Sequence, residues 1–236
     1  GSVLFHGGLY HAFYATRTRQ WTELLSHAVS RDGIYFEKTL PNPLASPPAG
    51  YDPRHFRDPF AFFSQEDGRF HLLVTAQLSA PEFGGRGGCL AHLVSTDLLH
   101  WQFEQPLLIP GLSGAPECSD YFPWNGWYYL IFSNGGIARY RVSNQPFGPW
   151  QRMAGDVLDS PAARVMKTAA FGQQRRIGAA WIGTREGNRD EGRFQFGGNV
   201  LLRELVQHPD GSLGTGFAAE FTPRGANLAP PPIPLG

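Results

Sequence analysis

Gly126-Trp-Tyr-Tyr-Leu-Ile-Phe132 reads as the second arm of a hairpin, a turn glycine followed by an unbroken run of aromatic and aliphatic residues. The pattern stands twice earlier, as Gly8-Leu-Tyr-His-Ala-Phe-Tyr14 and Gly68-Arg-Phe-His-Leu-Leu-Val74. A weaker copy is Gln174-Arg-Arg-Ile-Gly-Ala-Ala-Trp181. The anchors Tyr10, Phe70 and Tyr128 recur at a nearly constant interval. Behind each of the first three copies comes a second echo. His27-Ala-Val-Ser-Arg-Asp-Gly-Ile-Tyr-Phe36, His92-Leu-Val-Ser-Thr-Asp-Leu-Leu-His-Trp101 and Tyr140-Arg-Val-Ser-Asn-Gln-Pro-Phe-Gly-Pro-Trp150 share a strand ending in Val-Ser, a polar turn and an aromatic.

Several short strands repeated at this period predict an all-β chain folded as a β-propeller. A β-sandwich would leave the long regular period unexplained. Three clear units, the weaker fourth and the remainder Gly198-Asn-Val-Leu-Leu-Arg-Glu-Leu-Val206 suggest a five-bladed β-propeller over residues 1–223. Residues 224–236, with their run of prolines, read as an extended tail or linker.

Composition narrows the partners. The 236 residues carry 20 basic and 20 acidic side chains, so no charge imbalance calls for nucleic acid or an anionic membrane. A neutral small molecule or oligosaccharide fits this balance. Cys89 and Cys118 make neither a metal-site spacing nor a disulfide framework and are read as free thiols. The eight histidines include no close ligand pairs, and His11 and His71, like His27 and His92, hold matching repeat positions, which favours packing. No metal and no cofactor is expected. The compartment stays open between a cytoplasmic reading, slightly favoured, and secretion, and the oligomeric state is not legible.

In a propeller the first strand of each blade lines the central channel. Blade two begins Phe56-Arg57-Asp58-Pro59-Phe60, and blade three begins Pro116-Glu117-Cys118-Ser119-Asp120-Tyr121-Phe122. Asp58 and Glu117 are separated by one repeat length and precede their anchors, Phe70 and Tyr128, by nearly the same stretch of chain. They are therefore expected at equivalent places on neighbouring inner strands. Facing carboxylates in one pocket suit glycoside hydrolysis, one as proton donor and another as nucleophile or base. An isolated Asp-Pro would otherwise read as a turn cap. Sugar-binding candidates are His55 and Arg57 beside Asp58, Trp124 as a stacking platform near Glu117, Lys167 on the fourth inner strand, and Arg185 and Asp190 in a charged loop. Glu204 reads as part of a structural ion pair.

Arg57-Asp58-Pro59, with Glu117-Cys118 one blade later, resembles glycoside hydrolase family 32, the invertases, levanases and inulinases. Ser95-Thr-Asp-Leu-Leu-His-Trp101, Asp120-Tyr-Phe-Pro123 and Gly197-Gly-Asn-Val-Leu-Leu-Arg-Glu-Leu205 extend the resemblance to about Pro223. It implies cleavage of β-fructofuranosidic bonds with retention, through a fructosyl-enzyme intermediate. Glu117 would be the general acid/base, Asp58 the carboxylate that holds sugar hydroxyls, and Arg57 a sugar ligand. A third carboxylate, the nucleophile, belongs at the start of the first inner strand. Stepping back from Tyr10 by the spacing that separates Asp58 from Phe70 puts it before residue 1, and nothing from Gly1 to Tyr10 is acidic. The alternatives are an inverting arabinan or xylan hydrolase of the family 43 type and a non-catalytic carbohydrate-binding propeller.

Overall fold

The computed structural model describes residues 1–172 and 174–221; the proline-rich stretch 224–236 lies outside the described residues. The described residues form fifteen strands: β1 (Ser2–His6), β2 (Leu9–Arg17), β3 (Glu23–Ser30), β4 (Glu37–Lys38), β5 (Tyr51–Ser64), β6 (Arg69–Leu78), β7 (Gly88–Ser95), β8 (Gln102–Phe103), β9 (Glu117–Trp124), β10 (Trp127–Asn134), β11 (Ile137–Ser143), β12 (Arg164–Phe171), β13 (Arg175–Arg185), β14 (Phe194–Gln207) and β15 (Leu213–Gly216). All pairings are antiparallel between chain neighbours, which gives four meander units: β1–β4, β5–β8, β9–β11 and β12–β15. The last two units are joined into one sheet only by the pair Ile137↔Arg164.

Turn chemistry sets the hairpins. Gly7-Gly8, Asn125-Gly126 and Gly135-Gly136 all have positive φ, which fits two-residue turns whose twist matches the flanking strands. The Val-Ser echoes close matching turns. Ser30 Oγ donates to Asp32, whose Oδ1 accepts from the Ile34 and Tyr35 amides, and Ser95 with Asp97 repeats this at Leu99 and His100.

The core lies between units. In β6, Phe70, Leu72, Val74 and Ala76 face the first unit and pack on Phe13 and Leu25. Leu73, on the other face, joins Tyr121, Leu130 and Phe132 of the third unit. Tyr129, Ile131 and Tyr140 then meet Met166, Ala180 and Leu205 of the fourth. Strands buried on both faces lose the apolar/polar alternation, so β7 is buried throughout. Each unit thus covers one face of the next, and the architecture is the expected all-β propeller.

Four blade units are present among the described residues. The expectation of a fifth rests on Gly198–Val206 as a separate unit. That stretch is instead the body of β14, pairing with β13 from Phe194 to Glu204, so it belongs to the fourth.

Candidate active site

β5, β9 and β12 begin their blades, and β5 and β9 each pack against the preceding unit. All three carry a bulge at the same place, where the strand takes one residue more than its partner. Arg57 to Phe60 runs against Thr75 to Leu73; Glu117 to Asp120 runs against Ser133 to Ile131; Arg164 to Lys167 runs against Trp181 to Ala179. The residue after the first of each run is left-handed, at Asp58, Cys118 and Val165, each with φ 52. Side chains rarely adopt this region, and a β-branched valine least readily. Bulges re-aim side chains beside active sites, and left-handed strain concentrates there.

This register corrects one expectation. Asp58 is equivalent to Cys118, and Arg57 to Glu117. The hairpin after β5, closed by Ser64↔Arg69, is longer than that after β9, closed by Trp124↔Trp127. Counting from the aromatic anchors therefore hides a shift in which residue matches which.

Arg57 ties the cluster together. Its Nη2 donates to Glu117 Oε1 at 2.7 Å, and its Nε lies 3.9 Å from Asp58 Oδ2. Nη1 reaches Glu23 Oε2 at 3.3 Å and His55 Nδ1 at 3.2 Å. Burial opposes the guanidinium charge, but the Glu117 hydrogen bond and the Glu23, Glu117 and Asp58 charges outweigh it and raise the Arg57 pKa. Asp58 Oδ2 accepts from Thr75 Oγ1 at 3.2 Å, and the same hydroxyl is 3.0 Å from the Pro116 carbonyl, at the head of β9. The Glu117 side chain is 36% exposed, so it is the open face of this network.

Glu23 is a site residue that sequence reading missed. Its side chain is 3% exposed at the start of β3. It accepts from the Phe56 amide at 2.8 Å and from both Arg17 and Arg57. Burial disfavours its charge, yet that amide and the two guanidinia hold its pKa below the usual carboxylate value. With both oxygens engaged it anchors Arg57 and is not free to attack a sugar. An acid at the first buried place of a strand, in Glu23-Leu-Leu-Ser-His-Ala-Val, is the signal that could have found it.

Other candidates fall in different places. Lys167 Nζ donates to the Ser119 carbonyl and lies 4.2 Å from the Phe60 ring centroid, bridging three inner strands. Burial lowers its pKa, against the charges of Asp120, Cys118 and Asp58. Asp120 is buried and holds the Thr168 amide at 2.7 Å, locking β9 to β12. Trp124 is not brought to Glu117: the two stand at opposite ends of β9, and the Trp124 indole donates to the Gln174 carbonyl. At the rise of an extended chain that separation is about 20 Å. Arg185 and Asp190 are exposed, Arg185 holding the Gly192 carbonyl at 2.9 Å. Neither touches the Arg57 cluster. Glu204 pairs with Arg175 at 2.6 Å, away from the cluster.

Cys118 is a free thiol whose pKa is pushed up to about 11, first by burial and then by Asp58. Ser2 Oγ accepts from the Ala61 amide at 2.8 Å, so the head of β1 lies along β5. Among the described residues no group of three or more His, Cys, Asp or Glu is arranged to hold a metal.

The sequence model of the glycosyl hydrolases family 32 N-terminal domain matches residues 1–206. The sucrose-6-phosphate hydrolase of Staphylococcus xylosus is 29% identical over 141 residues, covering 56% of this chain and 26% of that protein. A probable sucrose-6-phosphate hydrolase of Vibrio cholerae is 35% identical over 188 residues, 68% of this chain and 33% of that protein. The match thus spans only about a quarter to a third of these curated relatives. Among solved structures, a fructan 1-exohydrolase IIa of Cichorium intybus with 1-kestose superposes with a TM-score of 0.72 at 19% identity, over 93% of this chain and 46% of that one. At that identity the likeness is one of fold.

Proposed function

The chain belongs to glycosyl hydrolase family 32, and from that premise we propose that its Glu117 and Asp58 serve a β-fructofuranosidase site, acting on sucrose or fructans with retention. The observation that carries this reading is one guanidinium, Arg57, meeting both Glu117 and Asp58 at the open end of two inner strands. Glu117, the more exposed of the two, donates a proton to the leaving oxygen and later takes one from water. Asp58, held by Thr75 and by the bulge, binds sugar hydroxyls whose acidity grows as positive charge builds on the ring. Arg57 fixes both carboxylates and hydrogen-bonds the sugar.

Double displacement also needs a nucleophilic carboxylate on the opposite side of the anomeric carbon. Glu23 is spent on Arg17, Arg57 and the Phe56 amide, so it does not fill that role. Trp124, Arg185 and Asp190 do not enter this reading.

The test is the natural full-length protein assayed on sucrose, levan, inulin and arabinan, beside its Glu117→Gln variant. Fructosides should be cleaved and arabinan spared. The variant should lose about 10³-fold in kcat, within the range for general acid–base catalysis, and keep its sugar affinity. Cleavage of arabinan alone, no cleavage at all, or unchanged turnover in Glu117→Gln sinks the proposal.

A further inference from the structure

The Val-Ser turns of the first two blades each close a groove, one at the end of β3 and one at the end of β7, and the two grooves match in place. In blade one Leu9, Ser30, Arg31, Tyr35 and Glu37 line a cavity of about 310 Å³. In blade two the same repeat positions hold Arg69, Ser95, Thr96, His100 and Gln102, around a cavity of about 170 Å³. Equivalent architecture with different side chains makes one groove a control for the other.

In blade two the polar groups satisfy one another. Arg69 Nε donates to Asp67 Oδ2 at 2.9 Å and the same guanidinium stands 3.7 Å from Glu104, while His100 Nδ1 lies 2.7 Å from Asp97 Oδ2. In blade one they do not. Leu9 stands where Arg69 does, and the groove is wider. Neither Arg31 nor Glu37 has a side-chain hydrogen bond or an ion pair among the described residues. Between them Tyr35 is 79% exposed.

The Tyr35 ring is nevertheless carried on ordered backbone. Asp32 Oδ1 accepts from the Ile34 amide at 2.8 Å and the Tyr35 amide at 2.9 Å, and Ser30 Oγ accepts from the Gly33 amide at 2.9 Å. A side chain presented from a turn already fixed loses little freedom on binding. An aromatic face with one free guanidinium and one free carboxylate in the same groove suits a neutral sugar. The ring covers the apolar face of the sugar, Arg31 donates to its hydroxyls and Glu37 accepts from them. The opposite charges of Arg31 and Glu37 favour an uncharged ligand over a strongly ionic one.

The groove lies at the far end of its strands from the catalytic cluster. Glu23, behind Arg57, begins β3 and Ser30 ends it, about 23 Å away at the rise of an extended chain. We propose that the groove at Leu9, Arg31, Tyr35 and Glu37 is a non-catalytic binding site for a neutral polysaccharide chain, at the opposite end of the blade from Glu23 and Glu117. It goes beyond the hydrolase reading, since nothing in it reacts. It holds a polymer at one place along its length while another stretch is free to meet Glu117, a distance that a disaccharide is too short to span.

The natural full-length protein, in a Glu117→Gln background that slows digestion, is run in affinity gels containing levan, inulin, arabinan or starch, with and without saturating sucrose. At least one of these polymers should retard it, and sucrose should not abolish the effect. Tyr35→Ala should weaken that binding about tenfold, the worth of one stacked ring. Arg31→Gln and Glu37→Gln should each weaken it about threefold. His100→Ala, at the matching place in blade two, should leave it unchanged. All four positions are exposed, and thermal midpoints check that the variants fold. No retardation by any polymer, loss of all retardation in sucrose, or wild-type affinity in Tyr35→Ala overturns the site. So does a dimer in sedimentation velocity that Tyr35→Ala dissolves, which gives the ring to a subunit contact. Retardation that depends on Tyr35, with no fructoside cleaved by the wild type, keeps the groove and removes the hydrolase reading. Fructoside cleavage with no retardation that depends on Tyr35 does the reverse.

Discussion

Glu23 is the residue on which the geometry of the cluster turns, because it fixes Arg57 from behind while Glu117 meets Arg57 from the front. Replacing Glu23 by Gln keeps its shape and removes the charge that Arg17 and Arg57 share. Leaving a buried ion pair half made is costly, so Glu23→Gln should lose about 3 kcal/mol in urea unfolding. Combined with Arg57→Lys it should show a coupling of about 1 kcal/mol or more in a double-mutant cycle; additive losses would show that the contact carries no energy. The neighbourhood of Asp58 and Glu117 is legible in the sequence because both sit in short motifs at the heads of inner strands, although the bulges pair Asp58 with Cys118. Glu23 is not, since its partners Phe56 and Arg57 come from another blade. Trp124 misleads for the converse reason. Its nearness to Glu117 along the chain becomes distance once the segment is extended as β9.

At the scale of elements, the strands are readable from repeated glycine-plus-aromatic runs, and the turns from Asn-Gly and Ser-x-Asp. The bulges are not. A bulge changes which residue pairs with which, and no local composition marks it when the left-handed residue is Asp, Cys or Val. The close approach of one blade to the next is also written in a single residue. A Cβ on Gly88, at the start of β7, would lie 2.1 Å from the Gly114 carbonyl oxygen and 2.8 Å from the Ala115 Cα, both on the segment leading into β9. Backbone cannot yield as a side-chain tip can. Gly88→Ala should therefore cost about 2 kcal/mol and lower the thermal midpoint by about 4–8 °C. Gly84, with nothing within 4 Å of its Cβ position, is the control, and equal midpoints for the two alanine variants would refute the close contact as a determinant.

For the whole molecule, the propeller is legible in the period, whereas the assignment of β14 is not, because it carries a motif that looks like a new blade and yet pairs within the fourth unit of the described residues. The same place in the first two blades is filled by polar aromatic pairs. His11 and His27 stack with their nitrogens 3.1 Å apart, and His71 and His92 stack at 2.8 Å. Burial holds His27 and His92 down to about 4, with a further push from the partner histidine. Asp67 opposes this at His71 and His92, while Arg69 adds to it. Depressed histidines bind protons more readily in the unfolded chain, so stability is complete above about pH 6.5 and falls as pH drops toward 4. The loss should be on the order of 3 kcal/mol per pair, seen as a falling thermal midpoint between about pH 7 and pH 4.5. A flat profile would mean that burial does not depress these histidines. Repeat architectures ordinarily permit units to be exchanged or duplicated, since each touches only its neighbours. Here Glu23, Arg57 and Glu117 come from three successive units and are wired in series, so any graft must bring its matching side chain or break the circuit. The blades look alike in sequence, but as parts these three are keyed to one another.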